Sequence, residues 1–265
     1  MDANNQQNQM PESIPAETQQ DFTLTDSLSG VFTEPGNTFI EIKRSSKKTF
    51  WVIPIIIFAI ITGISSFIVL NDEELSADIK KQQIDAMKER FDTAVKEGKM
   101  TRDEANEQLD KSQKMFSGGM FMVFGLIGGI VSVFIFFFLK ALVYLGVFKI
   151  YKGTAGYVNI MNVLGVASII SSIQMIIDSV LAIFMGRLFV NIGPVLLFSQ
   201  EQLGKQMYMF VANFDLINIW YLAVVSLGLA KVSDVKTSTS AITVYILWII
   251  WVLLTTFGPL NFMGR

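Results

Sequence analysis

Residues 49–71 read TFWVIPIIIFAIITGISSFIVLN, a run of 23 residues without a charged side chain. About 20 such residues in a helix are enough to cross the hydrocarbon core of a bilayer. Four further apolar stretches of comparable or greater length follow, at about 115–148, 157–185, 212–230 and 240–257. The sequence therefore predicts an all-α polytopic membrane protein with five transmembrane helices.

The charged residues are segregated along the chain. Of the 44 formal charges in 265 residues, 32 lie in residues 1–48 and 71–117, which leaves 12 for the other 170 residues. A water-soluble fold needs polar surface on every element, whereas long charge-free stretches are stable where lipid is the solvent. This distribution excludes an ordinary soluble domain.

The composition also excludes several kinds of chemistry. The chain has no cysteine and no histidine, so disulfides, thiolate nucleophiles and histidine-based zinc sites or catalytic triads are excluded. No phosphate loop, nucleophile elbow or hydrolase-type carboxylate pair is evident. A formal net charge of −2 disfavours a nucleic-acid partner. We therefore predict no enzyme activity, no cofactor and no bound metal.

Two segments of different composition precede the first span. Residues 1–30 are rich in polar side chains and lack apolar periodicity, which predicts a disordered polar tail. Residues 31–48 predict a turn and a short amphipathic helix with Phe39 and Ile42 on one face. Four cations follow that face: Lys43, Arg44, Lys47 and Lys48. Such a helix suits the headgroup layer of an anionic leaflet, and a solvated linker is an equally weighted alternative.

A charged insert, residues 72–117, separates the first span, 49–71, from the remaining four-helix part, 118–257. Apolar residues recur in it at helical spacing on both sides of a break at 97–100, and Thr101 with Glu104 forms a capping-box start. The insert is predicted to be an αα-hairpin whose narrow apolar stripes pack on each other or on the membrane body. Its 12 acids and 9 bases predict a solvated outer surface that does not bind nucleic acid.

Residues 188–199 are apolar but are interrupted by Gly193 and Pro194, so we place them at the membrane interface and regard a re-entrant segment as the alternative. Gly125 and Gly129 form a small-xxx-small pair that permits close approach of another helix. An intramolecular neighbour is the preferred interpretation, and a second copy in a homo-oligomer is the other.

Orientation follows from the basic residues near the spans. With a cytoplasmic amino end, nine bases near the spans lie inside and three outside, provided that the nine bases of the hairpin are left out; with them the outer side holds 12. The positive-inside rule depends chiefly on the first anchor and on short loops. The prediction is a cytoplasmic amino end and a hairpin on the opposite side.

Three charged residues fall within the predicted membrane layer: Lys140, Asp178 and Asp215. Two membrane-level carboxylates on adjacent spans suggest a cation or proton relay. The alternative, which we weight more heavily, is that each aspartate makes a structural contact with Arg187 or with backbone at the end of a span. Lys140 lies toward the cytoplasmic end of its span, where a lysine extends its ammonium group to the headgroups.

Three segments carry a resemblance to a known family. They run from Val31 to Phe39 with Trp51 and Pro54, from Phe148 to Ala155, and from Phe214 to Lys231. In this order they resemble the Yip domain family, the Ypt-interacting membrane proteins with five spans, over about residues 31–257. The matching signature positions are Pro35, Trp51, Pro54, Gly153, Asp215, Trp220 and Gly228. Ile217 and Asn218 depart from the commonest form of the last motif.

The resemblance implies an integral membrane protein with a cytoplasmic amino end. The long charged insert is similar to that of bacterial relatives, so a bacterial inner membrane is expected and the Rab-type GTPase partners of eukaryotic members are not carried over. Our leading hypothesis is a non-enzymatic protein in the lipid bilayer that organises or recruits an unknown protein partner through the hairpin or the tail. A small-ion or solute carrier that uses Asp178 and Asp215 is the alternative.

Overall fold

The computed structural model describes residues 22–117 and 119–258, and every regular element in these residues is helical. The helices are α1 (Leu24–Thr33), α2 (Pro35–Arg44), α3 (Val52–Asn71), α4 (Glu73–Lys96), α5 (Arg102–Ser117), α6 (Met120–Ile150), α7 (Tyr157–Met185), α8 (Gln200–Leu203), α9 (Lys205–Ala212), α10 (Leu216–Ser233) and α11 (Thr237–Thr256), with a 3-10 turn at Pro194–Leu197. The all-α prediction is confirmed for this part of the chain.

Five of these helices, α3, α6, α7, α10 and α11, are long and apolar enough to cross a membrane. The number of spans and the bounds of the third, Tyr157–Met185, are as predicted. The fourth begins at Leu216 and not near Ala212, because α9 ends at Ala212 and Asp215 caps a separate helix. A hydropathy average does not detect a helix cap or a short preceding helix, which explains why the predicted start of the fourth span was too early.

The central helix of the bundle is α7, which packs against α3, α6 and α10. Its buried side chains include Ile160, Val163, Val166 and Ile170. At Gly165 a Cβ atom would lie 2.4 Å from the Cα of Trp51, so the start of α3 crosses α7 where a side chain is missing. The outer helix α6 is mostly exposed along its apolar length, as expected for a helix that faces lipid.

The structure of residues 31–48 differs from both predictions made for them, a helix in the headgroup layer and a solvated linker. The amphipathic helix exists as α2, but the side chains of Phe39 and Ile42 are fully buried in the protein core and face neither headgroups nor water. The physical reason is that α10 presents Gly228 to Phe39, which lets the two helices approach closely. The prediction of a disordered tail is wrong for Leu24 to Gly30, which belong to α1, while residues 1–21 lie outside the described part.

The charged insert forms the predicted αα-hairpin of α4 and α5. The backbone N–H of Glu104 donates to the hydroxyl of Thr101, and the carboxylate of Glu104 accepts from the N–H of Thr101, which confirms the capping box. Arg102 of α5 pairs with Asp92 of α4, so the two helices hold each other. The hairpin also reaches the membrane body, since the ring of Phe116 lies 5.5 Å from that of Phe121 in α6.

The glycine pair on α6 faces α3. A Cβ atom at Gly125 would lie 2.8 Å from a methyl carbon of Leu70, and one at Gly129 would lie 3.4 Å from the hydroxyl of Ser66. The close neighbour of Gly125 and Gly129 is therefore intramolecular, as preferred from the sequence.

Candidate functional site

Asp215 occupies the start of α10 as its N-cap, with only 1% of its surface exposed. One carboxylate oxygen accepts hydrogen bonds from the N–H groups of Ile217 at 2.5 Å and Asn218 at 3.0 Å. An aspartate at this position satisfies helix N–H groups that have no partner within the helix. Among the described residues, its second oxygen is buried and has no hydrogen-bond partner.

The loop after α7 packs over this helix start. The side-chain amide of Asn191 donates to the carbonyl of Ala212 at 2.5 Å, and the N–H of Leu216 donates to the carbonyl of Ile192 at 3.0 Å. Gly193 is pressed on the chain before Asp215, because a Cβ atom there would lie 2.5 Å from the carbonyl oxygen of Phe214. Residues 188–199 thus cover the start of α10, with a 3-10 turn at Pro194–Leu197.

Asp178 lies half-buried on α7, near enough to Asp215 for the two carboxylates to interact electrostatically. One of its oxygens is buried without a hydrogen-bond partner in the described part of the chain. Arg187 forms no ion pair with either aspartate in the described residues, and its guanidinium donates to the carbonyl of Phe198 at 3.1 Å. The charges of Asp178 and Asp215 are therefore close enough to interact, and among the described residues neither is paired with Arg187.

Lys140 lies elsewhere. It is exposed on the surface of α6, and its ammonium nitrogen is 5.9 Å from the centre of the Tyr221 ring. A lysine beside the face of an aromatic ring gains a modest electrostatic attraction, so this position has a structural explanation. The structure does not bring Lys140 into one site with the two aspartates.

The other signature positions act in packing. Pro35 is at the first position of α2, where its missing N–H costs nothing, and Pro54 is buried in the first turn of α3. The ring of Trp51 stacks on Phe137 at 5.5 Å between centroids. Trp220 contacts Phe32 of α1 at 5.6 Å. These residues join the amino-terminal helices and the first span to the rest of the bundle.

A polar cluster missed by the sequence analysis lies at the opposite end of the bundle, around Asp234. The ammonium of Lys43 donates to this carboxylate at 2.5 Å, and the hydroxyl of Thr154 donates to its other oxygen at 2.5 Å. These two hydrogen bonds, from Lys43 first and then from Thr154, lower the pKa of Asp234. The backbone adds a further hydrogen bond to this cluster, from the N–H of Thr154 to the carbonyl of Ser233 at 3.0 Å.

Gly153 also takes part in this contact between the end of α2, the α6–α7 turn and the end of α10. We call the group formed by Lys43, Gly153, Thr154 and Asp234 the Asp234 clasp. A Cβ atom there would lie 2.8 Å from the carbonyl oxygen of Phe148 and 3.2 Å from the Cβ of Ser233. Only a glycine therefore fits between the end of α6 and the end of α10. The available sequence signals were Gly153 and the run of bases beside it, but nothing local indicated that Asp234 would receive Lys43.

The polar contacts around Asp215 and around Asp234 hold parts of the fold together. In the described ranges, 22–117 and 119–258, no group of three or more acidic, histidine or cysteine side chains is arranged to hold a metal ion. A family model described as the Yip1 domain matches residues 29–258 of the chain. Neither the curated proteins nor the solved structures contain a match.

Proposed function

The chain belongs to the Yip1 domain family, and from this premise we propose that it is a non-catalytic integral membrane protein that organises or recruits partners in its membrane. The surface that we assign to this role is the α4–α5 hairpin. Family membership and five membrane-length helices support the coarse part of this statement, the membrane protein itself. The recruiting role rests on the hairpin.

The observation that carries the proposal is the size and chemistry of this hairpin. α4 and α5 comprise 24 and 16 residues, and in the part of the chain described here they form the largest polar unit outside the spans. Most of their charged side chains are exposed, with pairs such as Lys111 with Glu107 on the outer face. Such a surface is solvated and offers alternating charges to a protein partner.

The carrier alternative has no such support. Asp215 is occupied in capping α10, which gives it a structural role without any transported ion. Lys140 lies beside Tyr221 and apart from the two aspartates, so the three intramembrane charges do not form one pathway. We therefore do not propose transport.

We also propose that the amino end is cytoplasmic, in a bacterial inner membrane, with the hairpin on the other side. The support is the excess of bases in the short loops near Asp234, together with the charged insert typical of bacterial relatives. In this orientation the partner is an extracytoplasmic protein or a membrane protein with a domain on that side.

Chemical crosslinking of native membranes, followed by mass spectrometry of the purified chain, tests the recruiting role. We expect reproducible crosslinks from hairpin lysines, such as Lys81 and Lys88, to one protein or a small set. Crosslinks confined to random abundant membrane proteins, or absent from the hairpin and the tail alike, would contradict the proposal.

A further inference from the structure

Eight basic residues gather at the end of the bundle that holds Asp234. We call them the basic face: Lys43, Arg44, Lys47, Lys48, Lys149, Lys152, Lys231 and Lys236. They come from three separate parts of the chain, the end of α2, the α6–α7 turn and the α10–α11 turn. The clasp at Asp234 holds these parts together through Lys43 and Thr154.

Further contacts place the individual cations. The ammonium of Lys149 donates to the carbonyl of Gly153 at 3.3 Å, so it lies at the α6–α7 turn. Lys43 also donates to the carbonyl of Lys231 at 3.4 Å, which fixes α2 beside the end of α10. Lys47 lies 5.4 Å from the centre of the Phe50 ring, just before the first span.

The charge of this face is strongly one-sided. The neighbouring described segments hold eight bases against four acids, which are Asp26, Glu34, Glu41 and Asp234. Glu41 is paired with Arg44 and Asp234 with Lys43, so two of the four acids already form ion pairs within the fold. Six of the eight cations are exposed: Arg44, Lys47, Lys48, Lys149, Lys152 and Lys236.

The face lies where a membrane would end. Lys48 precedes the first span, which begins at Val52, and Lys149 is in the last turn of α6. Lys231 is in the last turn of α10, and Lys236 directly precedes the first residue of α11. Every segment of the face is therefore joined directly to a helix that is long enough to cross the bilayer, which puts its cations at the depth of the lipid headgroups.

We propose that the basic face is a binding surface for the anionic headgroups of phospholipids in the adjoining leaflet. Charge complementarity carries this assignment, since each exposed cation near an anionic membrane surface contributes attraction and the face has few acids to oppose it. A fold that fixes three basic segments side by side binds headgroups with less loss of freedom than three separate loops would. The surface is independent of the hairpin and of the partner proposed for it.

The test uses the full-length chain purified in mild detergent and titrated with phosphatidylglycerol or with phosphatidylcholine of the same acyl chains. Native mass spectrometry counts the lipids retained. We expect phosphatidylglycerol to bind at least about tenfold more tightly than phosphatidylcholine. The triple variant Lys48→Gln, Lys152→Gln and Lys236→Gln, which removes one exposed cation from each segment, is expected to lose most of this preference.

A matched control removes the same charge from the hairpin, by Lys81→Gln, Lys88→Gln and Lys96→Gln, and is expected to keep the preference. Equal retention of the two lipids by the unaltered chain, or an equal loss in the control variant, would overturn the proposal. A preference for phosphatidylglycerol that arises only after Asp2, Glu12, Glu17 and Asp21 are changed to amides would also overturn it. That result would assign the face to the acidic amino-terminal residues of the same chain.

Discussion

The ring of Phe39 in α2 rests directly on Gly228 in α10. A Cβ atom at position 228 would lie 2.8 Å from two carbons of that ring and 2.5 Å from a methyl carbon of Val163 in α7. Three helices thus meet at a point that only a glycine can occupy. The amphipathic helix α2 is therefore a packed part of the membrane domain.

This contact predicts that Gly228→Ala destabilises the protein. The added methyl group must displace Phe39 or Val163, and overpacking of this kind costs about 1–3 kcal/mol. The loss is measured as a lower midpoint of unfolding in detergent micelles. Gly128→Ala is the matched control, because a Cβ atom at that helical glycine meets nothing within 4 Å. Equal stability of the two variants would show that the Phe39 contact is not formed.

A second prediction separates the capping role of Asp215 from a role of its charge. Asp215→Ala removes the acceptor for two N–H groups and is expected to cost about 1 kcal/mol of stability, within a range of about 0.5–2. Asp215→Asn keeps an acceptor oxygen and is expected to lose much less. Thermal unfolding of both variants checks this, and equal losses would point to the carboxylate charge as the important feature.

The Asp234 clasp predicts a dependence of stability on acid. Its hydrogen bonds from Lys43 and Thr154 lower the pKa of Asp234 in the folded state. The stability it contributes is therefore fully present at neutral pH, above the ordinary aspartate value near 4, and is lost as pH falls through the lower folded pKa.

The measurement is the unfolding midpoint between about pH 7 and pH 3 for the unaltered chain and for Asp234→Asn. Because other carboxylates also titrate in this range, the informative quantity is the difference between the two proteins. We expect this difference to shrink on acidification. A constant difference would mean that the ionised Asp234 carboxylate does not stabilise the fold.

Orientation gives a fourth prediction, and the absence of cysteine makes it simple to test. Single cysteines are introduced at two exposed positions, by Ser46→Cys beside the basic face and by Asn106→Cys in the hairpin. A membrane-impermeant thiol reagent is expected to label position 106 in intact cells and position 46 only after permeabilisation. The reverse pattern would place the hairpin in the cytoplasm.

The architecture was predictable because lipid imposes a simple rule on the sequence. Apolar runs long enough to span the bilayer, each with at most one charged residue, were sufficient to find all five membrane helices, and polar helical periodicity found α4 and α5. The capping-box pair Thr101 and Glu104 was also predictable, since both partners lie within one turn. Local rules work where the partners are local.

The tertiary contacts were not predictable in the same way. Periodicity indicated that Phe39 and Ile42 share a face, but it cannot say whether that face meets lipid, water or protein. Lys43 and Asp234 are 191 positions apart, and no local pattern connects them. For the candidate site, the sequence indicated the two membrane-level aspartates and favoured a structural contact with Arg187 or with backbone, but only the structure shows that Asp215 caps a helix.

Site-specific photo-crosslinking from the hairpin tests the central claim most directly. A photoreactive amino acid replaces Lys81 of α4 or Asn106 of α5, and replaces Ile135 on the exposed apolar surface of α6 as the control. Recruitment through the hairpin predicts that both hairpin positions capture the same protein in native membranes and that position 135 does not. Capture of lipid alone, or of unrelated proteins from each of the three positions, would contradict it.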